Sequence, residues 1–252
     1  MPIGKSPFII RGHSNTALLF IHGFTATPSE VLPTAQLIHQ MNGCTVRGML
    51  LPGHGTSPRE LNQTTWQNWA DAAAEECKNL QKEYPRVFIG GLSLGGLLAI
   101  YCGLSNPELK GIITINAPIF IRFFPVLAAL APLLKYLCPY VPKINWQHQL
   151  RMQEMGRFAY PCNPVAAFLQ MQELRHTVVD KLGEVKLPIL VVQSLKDETI
   201  MKKSGDYLAG KITGAPVTMV KLQNSPHVAT MGQEKVLLAE KIACFIKKEG
   251  EP

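Results

Sequence analysis

Three absences narrow the function of this 252-residue chain before any motif is considered. First, paired cysteines are missing: Cys44, Cys77, Cys102, Cys138, Cys162 and Cys244 stand apart with no C-x-x-C spacing. Neither a zinc site nor a disulfide scaffold is expected from them, and a reducing, cytoplasmic setting fits. Second, a long apolar run is missing. The longest, 123–134, is interrupted by Pro125 and Pro132, so no membrane span is expected. The opening Met-Pro-Ile-Gly-Lys-Ser-Pro has neither the basic start nor the apolar core of a signal peptide. Third, there is little charge of either sign: 17% of residues are charged against 46% apolar, which excludes a disordered chain. The net charge is +7, and residues 119–179 hold six Lys/Arg against two acids. Those basic residues are spread singly among apolar ones, which reads as a solvated face, so no nucleic-acid partner is expected.

What is present is an alternation. Short apolar runs at 17–21, 45–50, 87–89, 112–115, 189–192 and 217–222 read as buried strands, and their unbroken apolar character suits a parallel sheet covered on both faces. Segments with helical spacing lie between them: 30–40 after Pro28-Ser29, 65–83 with Trp66, Trp69, Ala73 and Leu80, and 233–247 at the end. Strand and helix in alternation predict a doubly wound α/β fold, a mostly parallel sheet with helices on both faces. Residues 117–180 break the rhythm. They are rich in Pro, Met and aromatics without a clear strand, and read as a small helical cap inserted into a core made of 1–116 and 181–252.

One motif stands at the third run. Gly91-Leu92-Ser93-Leu94-Gly95 is a G-x-S-x-G pattern that follows an apolar strand and precedes a helical run. In that context it predicts a nucleophile elbow, a sharp strand-to-helix turn that presents the serine hydroxyl at its tip. Small residues two before and two after the serine are needed because strand and helix come very close, and Gly91 and Gly95 supply them.

A serine hydroxyl needs a base, and the base needs a carboxylate to fix its tautomer. On such a fold the expected order is Ser, then Asp or Glu, then His. Of the seven histidines, only His227 follows the last predicted strand and precedes the last helix. The acid should follow the 189–192 run, where Asp197 and Glu198 stand. Asp197 is favoured for its shorter side chain, Glu198 reads as a solvated neighbour, and Asp180 is the other contender. An oxyanion hole needs two backbone N–H donors. Leu94, next after the serine, is one; Phe24, in the loop Ile21-His22-Gly23-Phe24-Thr25, is the other. His22 and His54 read as rings that brace their loops, with direct proton transfer the alternative for His22.

Taken together, His22-Gly23-Phe24-Thr25, Pro52-Gly53-His54-Gly55, Gly91 to Gly96, Gln193 to Glu198 and Ser225-Pro226-His227-Val228 resemble the α/β-hydrolase superfamily. Within it, the chain is most similar to bacterial carboxylesterases and monoacylglycerol lipases. The resemblance runs from about residue 8 to 248 and is weakest in the cap. It implies Ser93 as nucleophile, His227 as base, Asp197 as its orienting acid, and oxyanion donors at Phe24 and Leu94. It also implies activity on carboxylic esters with no metal and no cofactor. Family members commonly carry Gly before the final histidine, where this chain has Pro226. The apolar cap run, from Ile119, Phe120 and Ile121 through Tyr136, Leu137, Tyr140 and Val141, predicts a medium-chain ester or monoacylglycerol substrate and peripheral contact of the cap with lipid. A thioesterase or acyltransferase on the same triad, and a non-catalytic ligand-binding sensor, are the other functions open to this pattern. The oligomeric state is not readable.

Overall fold

Ala17, Leu19 and Ile21 face one side of the second strand and Leu18 and Phe20 the other, and all five are fully buried. A strand buried on both faces must be covered on both, and this decides the architecture. The computed structural model of the protein describes residues 4–122, 137–143 and 146–250. Its strands are β1 (Phe8–Ile10), β2 (Thr16–Ile21), β3 (Thr45–Met49), β4 (Arg86–Leu92), β5 (Gly111–Ile115), β6 (Tyr140–Pro142), β7 (Cys162–Pro164), β8 (Ile189–Ser194) and β9 (Val217–Leu222). Seven form one sheet in the order β1-β3-β2-β4-β5-β8-β9, and β6 pairs with β7 apart from it. All pairs of the large sheet are parallel except β1 with β3, where Ile9 stands opposite Arg47.

The helices among the described residues are α1 (Leu32–Asn42), α2 (Pro58–Leu61), α3 (Trp66–Glu83), α4 (Leu94–Ser105), α5 (Trp146–Glu154), α6 (Val165–Asp180), α7 (Lys203–Lys211) and α8 (Lys235–Gly250). Val31, Ala35 and Ile38 beside and on α1 join Leu238, Ala239, Ile242 and Ile246 of α8 over one face. Trp69, Ala73 and Leu80 of α3, Leu97 to Ile100 of α4, and Leu174 and Val178 of α6 cover the other. The doubly wound α/β architecture expected from the alternation of strands and helices, a mostly parallel sheet covered on both faces, is therefore the fold of the chain.

Several boundaries differ from the sequence expectation for local reasons. The segment expected as helix from 30 is a 3-10 turn, Pro28–Glu30, before α1 begins at Leu32. By contrast, α3 starts as expected, because Thr65 and Asn68 form a reciprocal capping box. β1, three residues long on the antiparallel edge, carries too little pattern to be seen in the sequence. Residues 117–180 do contain strand, contrary to the reading from composition: Val141 pairs with Asn163 in the β6–β7 ribbon. Each of its strands is three residues long and contains proline, which hides the signal. Phe123, Phe124, Val126, Leu127, Leu130, Leu133, Leu134 and Tyr136 of the expected apolar lining lie outside the described residues.

Candidate active site

Ser93 sits between the last residue of β4 and the first of α4, with φ 55° and ψ −114°. A non-glycine residue in that left-handed region is strained by about 1–3 kcal/mol and persists only where its surroundings enforce it. The enforcing contacts are visible. The Ser93 N–H donates to the Ile115 carbonyl at 2.8 Å, and the Ser93 carbonyl accepts from Gly96 at 2.9 Å and Leu97 at 3.2 Å. A Cβ on Gly91 would strike the Gly95 backbone, and one on Gly95 would strike the Ile21 carbonyl, so the glycines at this turn are required by space.

The two expected amide donors are both uncommitted: among the described residues, nothing accepts from the N–H of Phe24 or of Leu94. Each is aimed by the carbonyl of its own peptide unit, because a trans peptide points N–H and C=O in opposite directions. The Gly23 carbonyl accepts from Ala26 at 3.2 Å and from His22 Nδ1 at 2.9 Å, which turns the Phe24 N–H the other way. Leu94 is the first residue of α4, where the helix dipole favours negative charge.

His22 accepts the Leu51 N–H on Nε2 at 3.2 Å, so its proton is on Nδ1 and goes to the Gly23 carbonyl. Both nitrogens are committed, so the ring braces the loop, and burial lowers its pKa. His54 bonds the Pro52 carbonyl at 3.1 Å and packs edge-on to Phe24 and Trp69. Burial, then the neighbouring His22, hold it well below the ordinary histidine range.

His227 lies in the loop after β9, as expected, and its Nδ1 meets Asp197 Oδ2 at 2.8 Å. The other Asp197 oxygen accepts the Thr199 and Ile200 N–H groups, each at 2.8 Å. A carboxylate held this way keeps the imidazole proton on Nδ1 and leaves the lone pair on Nε2. Burial pushes the His227 pKa down, but the charge and hydrogen bond of Asp197, then the charges of Glu198 and Glu30, outweigh it, and the net shift is upward. Glu198 is exposed, the solvated neighbour expected, and its Oε2 in addition accepts the His227 N–H at 3.0 Å. Asp180 ends α6 and makes no contact with this histidine.

One residue of the site escaped the sequence reading. Asn116, at φ 48°, follows Ile115 at the end of β5. Its Nδ2 donates to the His227 carbonyl at 2.8 Å and to Ser194 Oγ at 2.9 Å, and its Oδ1 accepts the Ser194 N–H at 2.7 Å. Thus the carbonyl that fixes Ser93 and the side chain that fixes His227 belong to adjacent residues. A fully buried asparagine directly after an apolar strand was the available signal. The insertion also reaches this loop system. Arg157, expected on a solvated face, has a side chain 9% exposed and pairs with buried Glu30 at 2.9 Å. No group of three or more His, Cys, Asp or Glu among the described residues could hold a metal ion.

A serine in strained backbone geometry at a strand-to-helix turn, on a mostly parallel sheet with a histidine–carboxylate pair in the loops beyond, defines the α/β-hydrolase class. The chain belongs to the hydrolase family described as Serine aminopeptidase, S33, whose pattern matches residues 12–231. It is 30% identical over 245 residues to the thermostable monoacylglycerol lipase of Bacillus sp. (strain H-257), covering 97% of this chain and 95% of that one. It is also similar to a solved structure of the metagenome-derived lipolytic enzymes LipS and LipT, at 30% identity and a TM-score of 0.85 over 97% of this chain and 98% of that chain. The monoacylglycerol lipase of Paleococcus ferrophilus shares the fold, with 15% identity and a TM-score of 0.79 over 99% of this chain and 100% of that one.

Proposed function

We propose that this enzyme hydrolyses carboxylic esters, monoacylglycerols among them, through an acyl-enzyme formed on Ser93. The family match and the two lipolytic relatives at 30% identity make the chain a carboxylic ester hydrolase; the residues and the substrate are our reading. Ser93 Oγ attacks the ester carbonyl carbon while His227 Nε2 takes its proton. The Phe24 and Leu94 amides receive the negative oxygen. Collapse expels the alcohol, which takes the proton from His227. Water then attacks the acyl-enzyme with His227 again as base, releasing the carboxylic acid and restoring Ser93. The observation that carries this reading is the link through Ile115 and Asn116, which ties the strained serine and the Asp197-paired histidine to one strand end.

We assign residues 117–180 to the cap and to substrate selection. Phe24 supports an acyl pocket here, since its partly exposed ring packs at 6.2 Å from Phe168 of the insertion. A chain-length panel tests this: p-nitrophenyl esters and monoacylglycerols should be cleaved best at medium chain length, and Ser93→Ala should lose roughly 10⁶-fold in kcat. Activity that rises steadily toward acetyl esters and disappears by octanoyl would remove the medium-chain assignment. An acyl-CoA cleaved in preference to the glyceryl ester would favour a thioesterase.

The insertion also leaves Leu137 74%, Leu150 46% and Met155 53% exposed, although no described helix is long and apolar enough to cross a membrane. These side chains support peripheral contact with a lipid surface. The enzyme should co-sediment with anionic vesicles, and Leu137→Ser with Met155→Ser should weaken that binding. Equal sedimentation of wild type and variant would remove the contact from this surface.

A further inference from the structure

A buried carboxylate lies beside the nucleophile, and the catalytic scheme above does not use it. Glu30 is 1% exposed. At the point a Cβ on Gly23 would occupy, Glu30 Oε1 is 2.8 Å away and Ser93 Cβ is 3.5 Å away. The Gly23 N–H donates to Glu30 Oε1, so Glu30 holds the peptide unit immediately before the one that carries the Phe24 N–H. This placement has a cost. Catalysis builds negative charge on the substrate oxygen in front of the same loop, and a fixed anion behind it opposes that charge.

Arg157 supplies the counter-charge. Its Nε meets Glu30 Oε2 at 2.9 Å, and its side chain is 9% exposed. It arrives on a strip of the insertion that lies along the oxyanion loop residue by residue. The Phe158 N–H donates to Ser29 Oγ at 2.9 Å, Ala159 bridges to Ala26, and the Tyr160 N–H donates to the Thr25 carbonyl at 2.9 Å. Lys143, from the same insertion, donates to Thr25 Oγ1 at 2.7 Å, and that hydroxyl donates to the Phe24 carbonyl at 2.6 Å. Thr25 itself sits at φ 64°, strained backbone that these contacts enforce.

The geometry points to Glu30 as a positioning residue of the oxyanion hole, with Arg157 as the counter-ion through which the insertion keeps that hole competent. The inference rests on the assignment of Ser93 as nucleophile and Phe24 as donor. It makes a sign prediction that simple loss of packing does not. Arg157→Met removes the ion-pair partner of the buried carboxylate and leaves Lys143 as the remaining cation near it, and should lower kcat about 10–100-fold with KM changed by no more than about twofold. Glu30→Gln keeps an acceptor for Gly23 but turns an amide N–H toward Arg157, and should lower kcat by about tenfold. In the double variant the amide faces the Met side chain, the anion is gone, and kcat should return to within about fivefold of wild type.

The test is this double-mutant cycle, read as kcat and KM on a p-nitrophenyl ester, with thermal melts of all four proteins and mass mapping of a fluorophosphonate label. Recovery in the double variant, in proteins of comparable melting temperature, is the expected result. Additive losses, or losses that follow melting temperature alone, overturn the proposal. If Arg157→Met does not fold, the isosteric Glu30→Gln carries the comparison: the double variant must exceed it in kcat, and failure to do so overturns the proposal. A wild type that cleaves the ester without label on Ser93 removes the nucleophile assignment and this inference with it. A labelled wild type with additive losses removes this inference alone.

Discussion

His227 is held by four hydrogen bonds: from its ring to Asp197, from its backbone N–H to Glu198, and to its carbonyl from Asn116 and from the Ala229 N–H. Two carboxylates beside one imidazole set its working range. Its pKa lies above the ordinary 6.5, and a base acts only when deprotonated. With His227 as the proposed base, activity should be low in acid and rise with pH through a midpoint above 6.5. Glu198→Gln keeps an acceptor for the His227 N–H but removes a negative charge that favours the protonated ring. The acid limb of kcat/KM should move to lower pH, with kcat on the plateau within about threefold of wild type. An unshifted limb would show that the Glu198 charge does not reach the base. At this scale the sequence was legible where chain order decides, since His227 alone follows the last strand and precedes the last helix. It was not legible for Glu198 or Glu30, because which backbone N–H a long side chain reaches depends on where two loops meet.

Between elements, the site depends on how the ends of β4, β5, β8 and β9 are tied together. Asn116 makes the tie: it replaces the ladder partners that β5 and β8 run out of and catches the His227 loop as well. Asn116→Ala strands the buried Ser194 N–H and places alanine at a positive φ. It should destabilise by about 2–4 kcal/mol and lower the melting temperature by about 5–15 °C. With the His227 carbonyl left to the Ala229 N–H alone, kcat should also fall about tenfold at temperatures where the variant is folded. A melting loss with unchanged kcat would make Asn116 a fold residue only. On the far side of the same loop, Glu234 collects the Gln223 and Asn224 N–H groups and the Ser225 hydroxyl, so the turn into Pro226-His227 is fixed from both ends. The parallel strands, the elbow and α3 were all readable, because continuous apolar runs, a glycine-spaced serine and apolar residues at helical spacing are local signals. β1, β6 and β7 were not, because three residues cannot show a period.

For the molecule as a whole, the excess of basic residues in 119–179 has a partly internal explanation. Arg157 pairs with Glu30 and Lys143 donates to Thr25, both at the loop after β2, and Arg175 braces the Ile119 carbonyl at 3.0 Å. Composition alone cannot separate a buried, paired cation from a solvated one. The family and the lipolytic relatives fix the chemistry as ester hydrolysis, and the fold brings the expected groups to one edge of the sheet. The central claim is that Ser93 forms the covalent intermediate. The most direct measurement is mass mapping of a fluorophosphonate adduct on the full chain, run beside Asp197→Asn and Ser93→Ala. The account predicts one adduct, on the peptide containing Ser93. Asp197→Asn should label about 10³–10⁴-fold more slowly, and Ser93→Ala should neither label nor turn over ester. An adduct on another residue, or ester hydrolysis that persists undiminished in Ser93→Ala, would contradict it.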